Sequence, residues 1–384
     1  MPLSSTLARM TFAARLALAT LALPALLHSQ TPAPFHSTEV NPDHTVTFRY
    51  ADPTATKADL ALEGAGPNLP MEKDADGTWS ATSKPLAPQI YGYHFDVDGH
   101  PRLDLHNTRL TTNLLSLSNL IDVPGEAPEP WEPQNIPHGE IHHHIYTTAT
   151  VLGLPQNQSD FYVYTPPSYD PKAKRDYPVL YLLHGFSDRA DGWTAVGQAN
   201  LILDSLLAQG KIKPMIVVMP LGYGNMQFVL GHSNWGTPAA VTENTDLFSK
   251  ALLTEVLPRV ESEYRVSRKR EDRAIAGLSM GGLESLSTGL NNTDKFAYVV
   301  GLSSAAASVD RDRLANLNPK SANLKLLWIA CGTEDHLLDP NRQFIAFLKS
   351  KDMPVTAIET PGMHTWMVWR DNLIHFTPLL FQPK

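Results

Sequence analysis

Two rhythms of apolar and polar residues divide the chain. Over residues 36–123 the rhythm is alternation: 45–50 (TVTFRY), 57–62 and 91–97 (YGYHFDV) place an apolar side chain at about every second position. That spacing puts one face of a strand into a core and leaves the other to water. Turn-forming Asn41-Pro42-Asp43, Asp74-Ala75-Asp76-Gly77 and Asp98-Gly99 separate the runs. Short strands so spaced predict a small all-β sandwich over residues 36–124. From residue 138 onward the rhythm changes. Compact apolar runs at 161–164, 179–183, 215–219, 274–276 and 326–330 alternate with helix-compatible stretches at 200–207, 247–264 and 343–351. Runs of that length suit strands covered on both faces, and the alternation predicts an α/β domain with a mostly parallel sheet over residues 138–384.

Residues 125–137 (GEAPEPWEPQNIP) join the two parts, and their prolines favour a stiff, extended connector. At the start of the chain, Arg9 and Arg15 precede the apolar run 16–27 (LALATLALPALL), and small Ser29 follows it. This pattern predicts an export leader over residues 1–29 and a secreted or periplasmic protein. A membrane anchor is the alternative, but the run is shorter than the roughly 20 apolar residues a span needs. No later stretch is apolar enough to cross a bilayer. The composition, 42% hydrophobic and 18% charged, is that of a globular protein. A net charge of -8 with no basic stripe argues against a nucleic-acid partner. The only cysteine, Cys331, ends an apolar run and is expected to be buried and unreactive.

The sharpest chemical signal is Gly277-Leu278-Ser279-Met280-Gly281, between an apolar run and a helix-compatible 282–290. A strand that enters such a turn lifts the serine hydroxyl above the sheet, and the glycines leave room for the tight path. A serine hydroxyl needs a base to take its proton, and in this fold the order is serine, acid, histidine. Asp335 follows the run 326–330 in Cys331-Gly332-Thr333-Glu334-Asp335, and His364 follows 356–360 in Pro361-Gly362-Met363-His364. Glu334 or Asp339 could replace the acid, and His375 or His232 the base. The Met280 N–H is one candidate donor to a developing oxyanion. The second is the Phe186 N–H in the loop after 179–183, where His184 is expected to fix the loop rather than titrate. Trp193, Trp235, Trp366 and Trp369 fall near these loops and could line an acyl pocket, Trp366 first among them. His142-His143-His144 could suggest a metal, but neighbours on a strand point to opposite faces, so no metal site and no cofactor are expected.

The stretches VYTPPSYD, YPVLYLLHGF, RAIAGLSMGG, CGTEDHLLD and GMHTWMVWR, in that order, resemble carbohydrate esterase family one. That group of feruloyl and acetyl xylan esterases belongs to the esterase D superfamily, and the resemblance covers nearly all of residues 138–384. It implies an α/β-hydrolase fold, a triad of Ser279, Asp335 and His364, oxyanion donors at Phe186 and Met280, and an ester of plant polysaccharide as substrate. The stretches DGTWSAT, PLAPQIYGYHFDVDG and SNLIDVPG resemble early-set immunoglobulin-like modules related to family 48 carbohydrate-binding modules. Such modules bind sugar through exposed aromatics, whereas Trp79, the only tryptophan of this segment, is placed to be a core residue. Two other readings stay open: a siderophore esterase of the enterochelin type, which also carries an N-terminal β domain, and a non-catalytic glycan-binding protein.

Overall fold

The computed structural model describes residues 35–231 and 237–382. The expected leader, together with Trp235 and His232, lies outside the described residues. Within the N-terminal part, two antiparallel sheets face each other. One carries Thr38–Val40, Val46–Ala51, Thr78–Thr82 and Glu72–Lys73; the other carries Leu69–Pro70, Ala58–Leu62, Gln89–Val97 and His100–Arg102, with Asn119–Val123 paired to Gln89–Val97. Alternation sets what lies between them. Val46, Phe48, Leu60, Trp79, Tyr93 and Phe95 form the buried filling. Trp79 donates its Nε1–H to the Asp52 carbonyl at 3.0 Å, so it is a core residue and not a sugar platform.

The C-terminal part is built on one eight-stranded sheet. We label its strands β1 (Glu140–Thr147), β2 (Gln158–Thr165), β3 (Val179–Leu183), β4 (Ile216–Pro220), β5 (Arg273–Leu278), β6 (Tyr298–Leu302), β7 (Leu326–Gly332) and β8 (Val355–Thr360). Their order across the sheet is β1-β2-β4-β3-β5-β6-β7-β8. The first two strands run antiparallel and the rest parallel. This is the α/β-hydrolase architecture. Every residue of β3, β4 and β5 is buried, as expected for strands covered on both faces. In β3, Val179, Tyr181 and Leu183 pack to one side, and Leu180 and Leu182 to the other. The helical stretch expected at 247–264 begins earlier, at Pro238, and widens into a π-type turn over Leu252–Val256 before ending at Glu263. Pro258 accounts for the widening. It has no N–H to give the Thr254 carbonyl, and its ring crowds the preceding turn.

The described residues from His36 onward form a single compact unit. Ile90 and Leu120 of the sandwich belong to the same buried cluster as Leu180, Trp193 and Trp366 of the hydrolase part. Trp131, in the middle of the proline-rich strap, is buried in that cluster too, and Gln134 Nε2 donates to Ser205 Oγ at 3.3 Å. The strap is therefore anchored at Trp131 and Gln134, while Glu126, Ala127 and Pro128 are exposed.

The tightest tie is Arg370, which is fully buried on the helix Trp366–Phe376. Its guanidinium donates to Gln89 Oε1 at 2.8 Å and the Ile90 carbonyl at 2.7 Å on the sandwich, and to the Val196 carbonyl at 2.9 Å. Burial pulls its pKa down to about 10, which leaves it charged at neutral pH. Among the described residues, no helix is long and apolar enough to cross a membrane.

Candidate active site

Ser279 stands where β5 ends and the helix Ser279–Asn291 begins. Its φ is +77°, a left-handed backbone that a serine adopts only when its surroundings impose it. The flanking glycines show what imposes it. A Cβ on Gly277 would collide with the Gly281 carbonyl, and one on Gly281 would collide with the His184 and Leu183 carbonyls. The turn is thus pressed against both its own far side and the end of β3. Met280 N–H lies in the first turn of the helix, where backbone donors have no partner within the helix.

Asp335 follows β7, and His364 follows β8. His364 Nε2 lies 3.0 Å from Ser279 Oγ, and its Nδ1 lies 2.8 Å from Asp335 Oδ2. The structure therefore brings the three expected residues into one hydrogen-bonded line. Asp335 is buried, which alone would raise its pKa. The His364 contact and the Leu337 N–H, 2.8 Å from Oδ1, outweigh burial and hold it below the usual carboxylate value. An ionised carboxylate on Nδ1 fixes the tautomer that leaves Nε2 free to accept a proton. Glu334 and His375 are not part of this line; His375 Nδ1 bonds the Asp371 carbonyl on its own helix. Cys331 is buried, and burial pushes its thiol up to about 12, which leaves it inert as a nucleophile.

The loop after β3 runs His184-Gly185-Phe186-Ser187-Asp188. His184 is fully buried, and burial lowers its pKa to about 4. Gly222 N–H reaches its Nε2 at 2.8 Å and can only donate, so Nδ1 carries the proton and gives it to the Gly185 carbonyl at 2.8 Å. Asp188 N–H donates to that same carbonyl at 3.2 Å. Because the peptide is planar, a Gly185 carbonyl held on one side turns the Phe186 N–H to the other. The expectation that His184 fixes the loop is met by this geometry.

A cavity of about 470 Å³ opens over Ser279 and His364. Its hydrolase side includes Phe186, Val196, Leu278, Trp366 and Trp369. Its opposite side comes from the sandwich and carries Glu63, Asn68, His94, Asn113, Ser116 and Ser118. Trp366 lines the cavity. Trp193 does not: it is fully buried, donates to the Leu183 carbonyl at 2.9 Å and stands edge-on behind Trp366 at 5.2 Å. Trp369, one turn beyond Trp366, lines the cavity in its stead. The sandwich wall and the buried Asp188 were not singled out from the sequence, because no local pattern marks a residue whose partner lies 75 positions away.

The three histidines of β1 engage neighbouring side chains: His142 bonds Thr165, and its ring and that of His144 both meet Tyr264. His143 stacks on Tyr162 at 4.2 Å and bonds Asp160, while His144 stacks on Phe161 at 4.8 Å and bonds Tyr264. Asp335, His336 and His364 hold ligand atoms within 4.8 Å of one another and could take a metal ion, but two of the three are engaged with each other in the serine-centred line.

The family model described as "Putative esterase" matches residues 154–380. An endo-1,4-beta-xylanase/feruloyl esterase of Xylanibacter ruminicola is 29% identical over 354 residues, which are 89% of this chain; the chain spans 46% of that protein's length. A solved ferulic acid esterase is 25% identical with a TM-score of 0.55, over 65% of this chain and all of its own. The enterobactin esterase of Shigella flexneri, solved with enterobactin, is 20% identical with a TM-score of 0.66, over 88% of this chain and 93% of its own. A match over 88% of the chain takes in much of the N-terminal sandwich as well.

Proposed function

The chain belongs to the esterase family whose model it matches over residues 154–380, and from that premise we propose that it is a serine carboxylic-ester hydrolase. It works through an acyl-enzyme and removes feruloyl or acetyl groups from plant polysaccharide. The observation that carries this reading is the line from Ser279 through His364 to Asp335, set at the floor of a two-sided cavity.

In the first half-reaction Ser279 Oγ attacks the ester carbonyl as His364 Nε2 takes its proton. Asp335 stabilises the imidazolium that results. The carbonyl oxygen becomes negative and is met by the Phe186 and Met280 N–H groups, backbone donors whose reorganisation costs little. His364 then gives its proton to the leaving alcohol oxygen, and the C–O bond breaks. Water repeats the sequence on the acyl-enzyme, releasing the acid and restoring Ser279.

The walls of the cavity favour a neutral aromatic or small acyl group on a sugar. Trp366 and Trp369 offer flat apolar surface on the hydrolase side. The sandwich side offers amides, hydroxyls and a carboxylate, which suit a polyhydroxylated alcohol. The likeness to the xylanase/feruloyl esterase of Xylanibacter ruminicola supports that choice.

A siderophore ester is the second reading, favoured by the shared two-part architecture of the Shigella flexneri enzyme. A likeness at 20% identity carries the fold and not the substrate. The acids lining the cavity are Glu63 and Asp188, and neither lysine nor arginine is among its described lining residues. That lining disfavours an anionic iron complex. The leader pattern of residues 1–29 supports export to where plant polysaccharide is met.

A panel of methyl ferulate, acetylated xylan, p-nitrophenyl acetate and iron-free and ferric enterobactin tests the proposal. Turnover of methyl ferulate or acetylated xylan at a kcat/KM at least 10²-fold above enterobactin is the expected result. The reverse ranking would replace the polysaccharide reading with the siderophore one.

A further inference from the structure

Asn113 lies in the sandwich part of the chain, in the loop between the strands His100–Arg102 and Asn119–Val123. Its amide oxygen accepts from the Leu115 N–H at 2.9 Å and the Ser116 N–H at 3.0 Å. Those two donors fix which way the amide faces, so its Nδ2 must point away from its own loop. It points at the turn after β3, reaching Ser187 Oγ at 2.8 Å and the buried carboxyl oxygen Asp188 Oδ1 at 3.2 Å. Beside it, Leu114 N–H donates to the Ser187 carbonyl at 2.7 Å. Ser187 has a φ of +66°, a left-handed backbone that needs holding, and its hydroxyl in turn donates to the Phe186 carbonyl at 2.6 Å. Two consecutive residues of the sandwich therefore grip Ser187 and Asp188, the two residues that follow Phe186.

We propose that Asn113 is a positioning residue for the reaction: it holds the turn that presents the Phe186 N–H, so the sandwich is needed for turnover of any ester, polymeric or small. This rests on the proposed roles of Ser279 and Phe186. Asn113 lines the cavity, but both ends of its amide are engaged by protein groups, so the effect of its loss through the turn is felt on every ester. An amide is required. A carboxylate at 113 would still accept from Leu115 and Ser116, but it would face Ser187 Oγ and the Asp188 carboxyl with an oxygen that cannot donate. Burial already pushes Asp188 up to about 7, and a second acid beside it makes that position worse.

The test uses the full chain, with active sites counted by fluorophosphonate titration and p-nitrophenyl acetate as substrate. For Asn113→Ala we expect kcat per titrated site to fall about 10-fold, a part of the 10²–10³ that loss of an oxyanion donor costs, with KM within a factor of two. Asn113→Asp should fall further, and Asn113→Gln should recover part of the loss. Affinity for a tetrahedral boronic acid should drop in step with kcat/KM, a change that a loss of folding stability alone would not produce in the titrated fraction. Should Asn113→Ala prove unstable, Ser187→Ala interrupts the same chain of hydrogen bonds from the hydrolase side and should lower kcat likewise. Wild-type kcat per site in both variants, beside an inactive Ser279→Ala, overturns this inference alone. Turnover surviving in Ser279→Ala overturns the proposed function and this inference together.

Discussion

Two turns meet at the cavity floor, and they are built in opposite ways. The turn around Ser279 is made from contiguous residues. Gly277 and Gly281 pass so close that a side chain on either would strike backbone, and the strand and helix on its two sides belong to the same stretch of chain. The turn around Phe186 is made from afar. The Gly185 carbonyl before it is held by His184, which is itself held by Gly222, and the residues after it, Ser187 and Asp188, are gripped by Asn113 and Leu114, more than 70 positions earlier. The contrast teaches that a nucleophile can be specified locally, while the electrostatic half of a site can depend on a separate module.

The comparison breaks most visibly if the sandwich is removed. A chain beginning at Ile136 loses Asn113, Trp131 and both sandwich acceptors of Arg370, leaving a buried guanidinium with the Val196 carbonyl alone. The expected result is loss of soluble folded protein, or a drop in kcat on p-nitrophenyl acetate of at least 10²-fold, measured with circular dichroism on the same sample. Full activity on small esters would show that the module merely sits beside the site.

A smaller change sharpens the point. Arg370→Met keeps the volume of the side chain but takes the guanidinium from the Ile90 and Val196 carbonyls, while Gln89 Oε1 keeps the Ile90 N–H. We expect a loss of stability on the order of 3 kcal/mol by urea unfolding. A midpoint equal to that of the wild type would mean that the two parts are joined by apolar packing alone.

The smallest expected effect is one of pH. Burial holds the folded Asp188 carboxyl up at about 7, above its ordinary 3.8. Between those values the unfolded chain has released this proton and the folded chain keeps it. The group's contribution to stability is thus complete below the lower value and lost as pH rises towards 7. Asp188→Asn cannot titrate, so its melting temperature should fall less than that of the wild type between pH 4.5 and pH 7.5. Parallel curves for the two proteins would place the ionisation elsewhere.

What could be read from the chain and what could not follows the same division. The strand Val179–Leu183 has the bounds its apolar run suggests, and the order of Ser279, Asp335 and His364 along the chain is the order of the loops that bring them together. Alternation in 45–50 and 91–97 is enough to place Phe48, Tyr93 and Phe95 in one core. These features are periodic or local, and burial acts on them directly. The polar loop around Asn113 has no period, and its amide becomes informative only when the turn it grips is in view. The tryptophans divide for a related reason. Trp366 and Trp369 both face the cavity, while Trp193 backs the first of them, and an aromatic side chain reads the same from sequence whether it lines a wall or supports one.

Everything above depends on one hydroxyl. Treating the full chain with a fluorophosphonate and mapping the adduct by mass spectrometry, beside the kinetics of Ser279→Ala, asks about it directly. The account predicts a single stoichiometric adduct on Ser279, and a kcat for Ser279→Ala lower by about 10³-fold or more with an unchanged fold. An adduct on another residue, or an alanine variant that turns over esters at the wild-type rate, would contradict it.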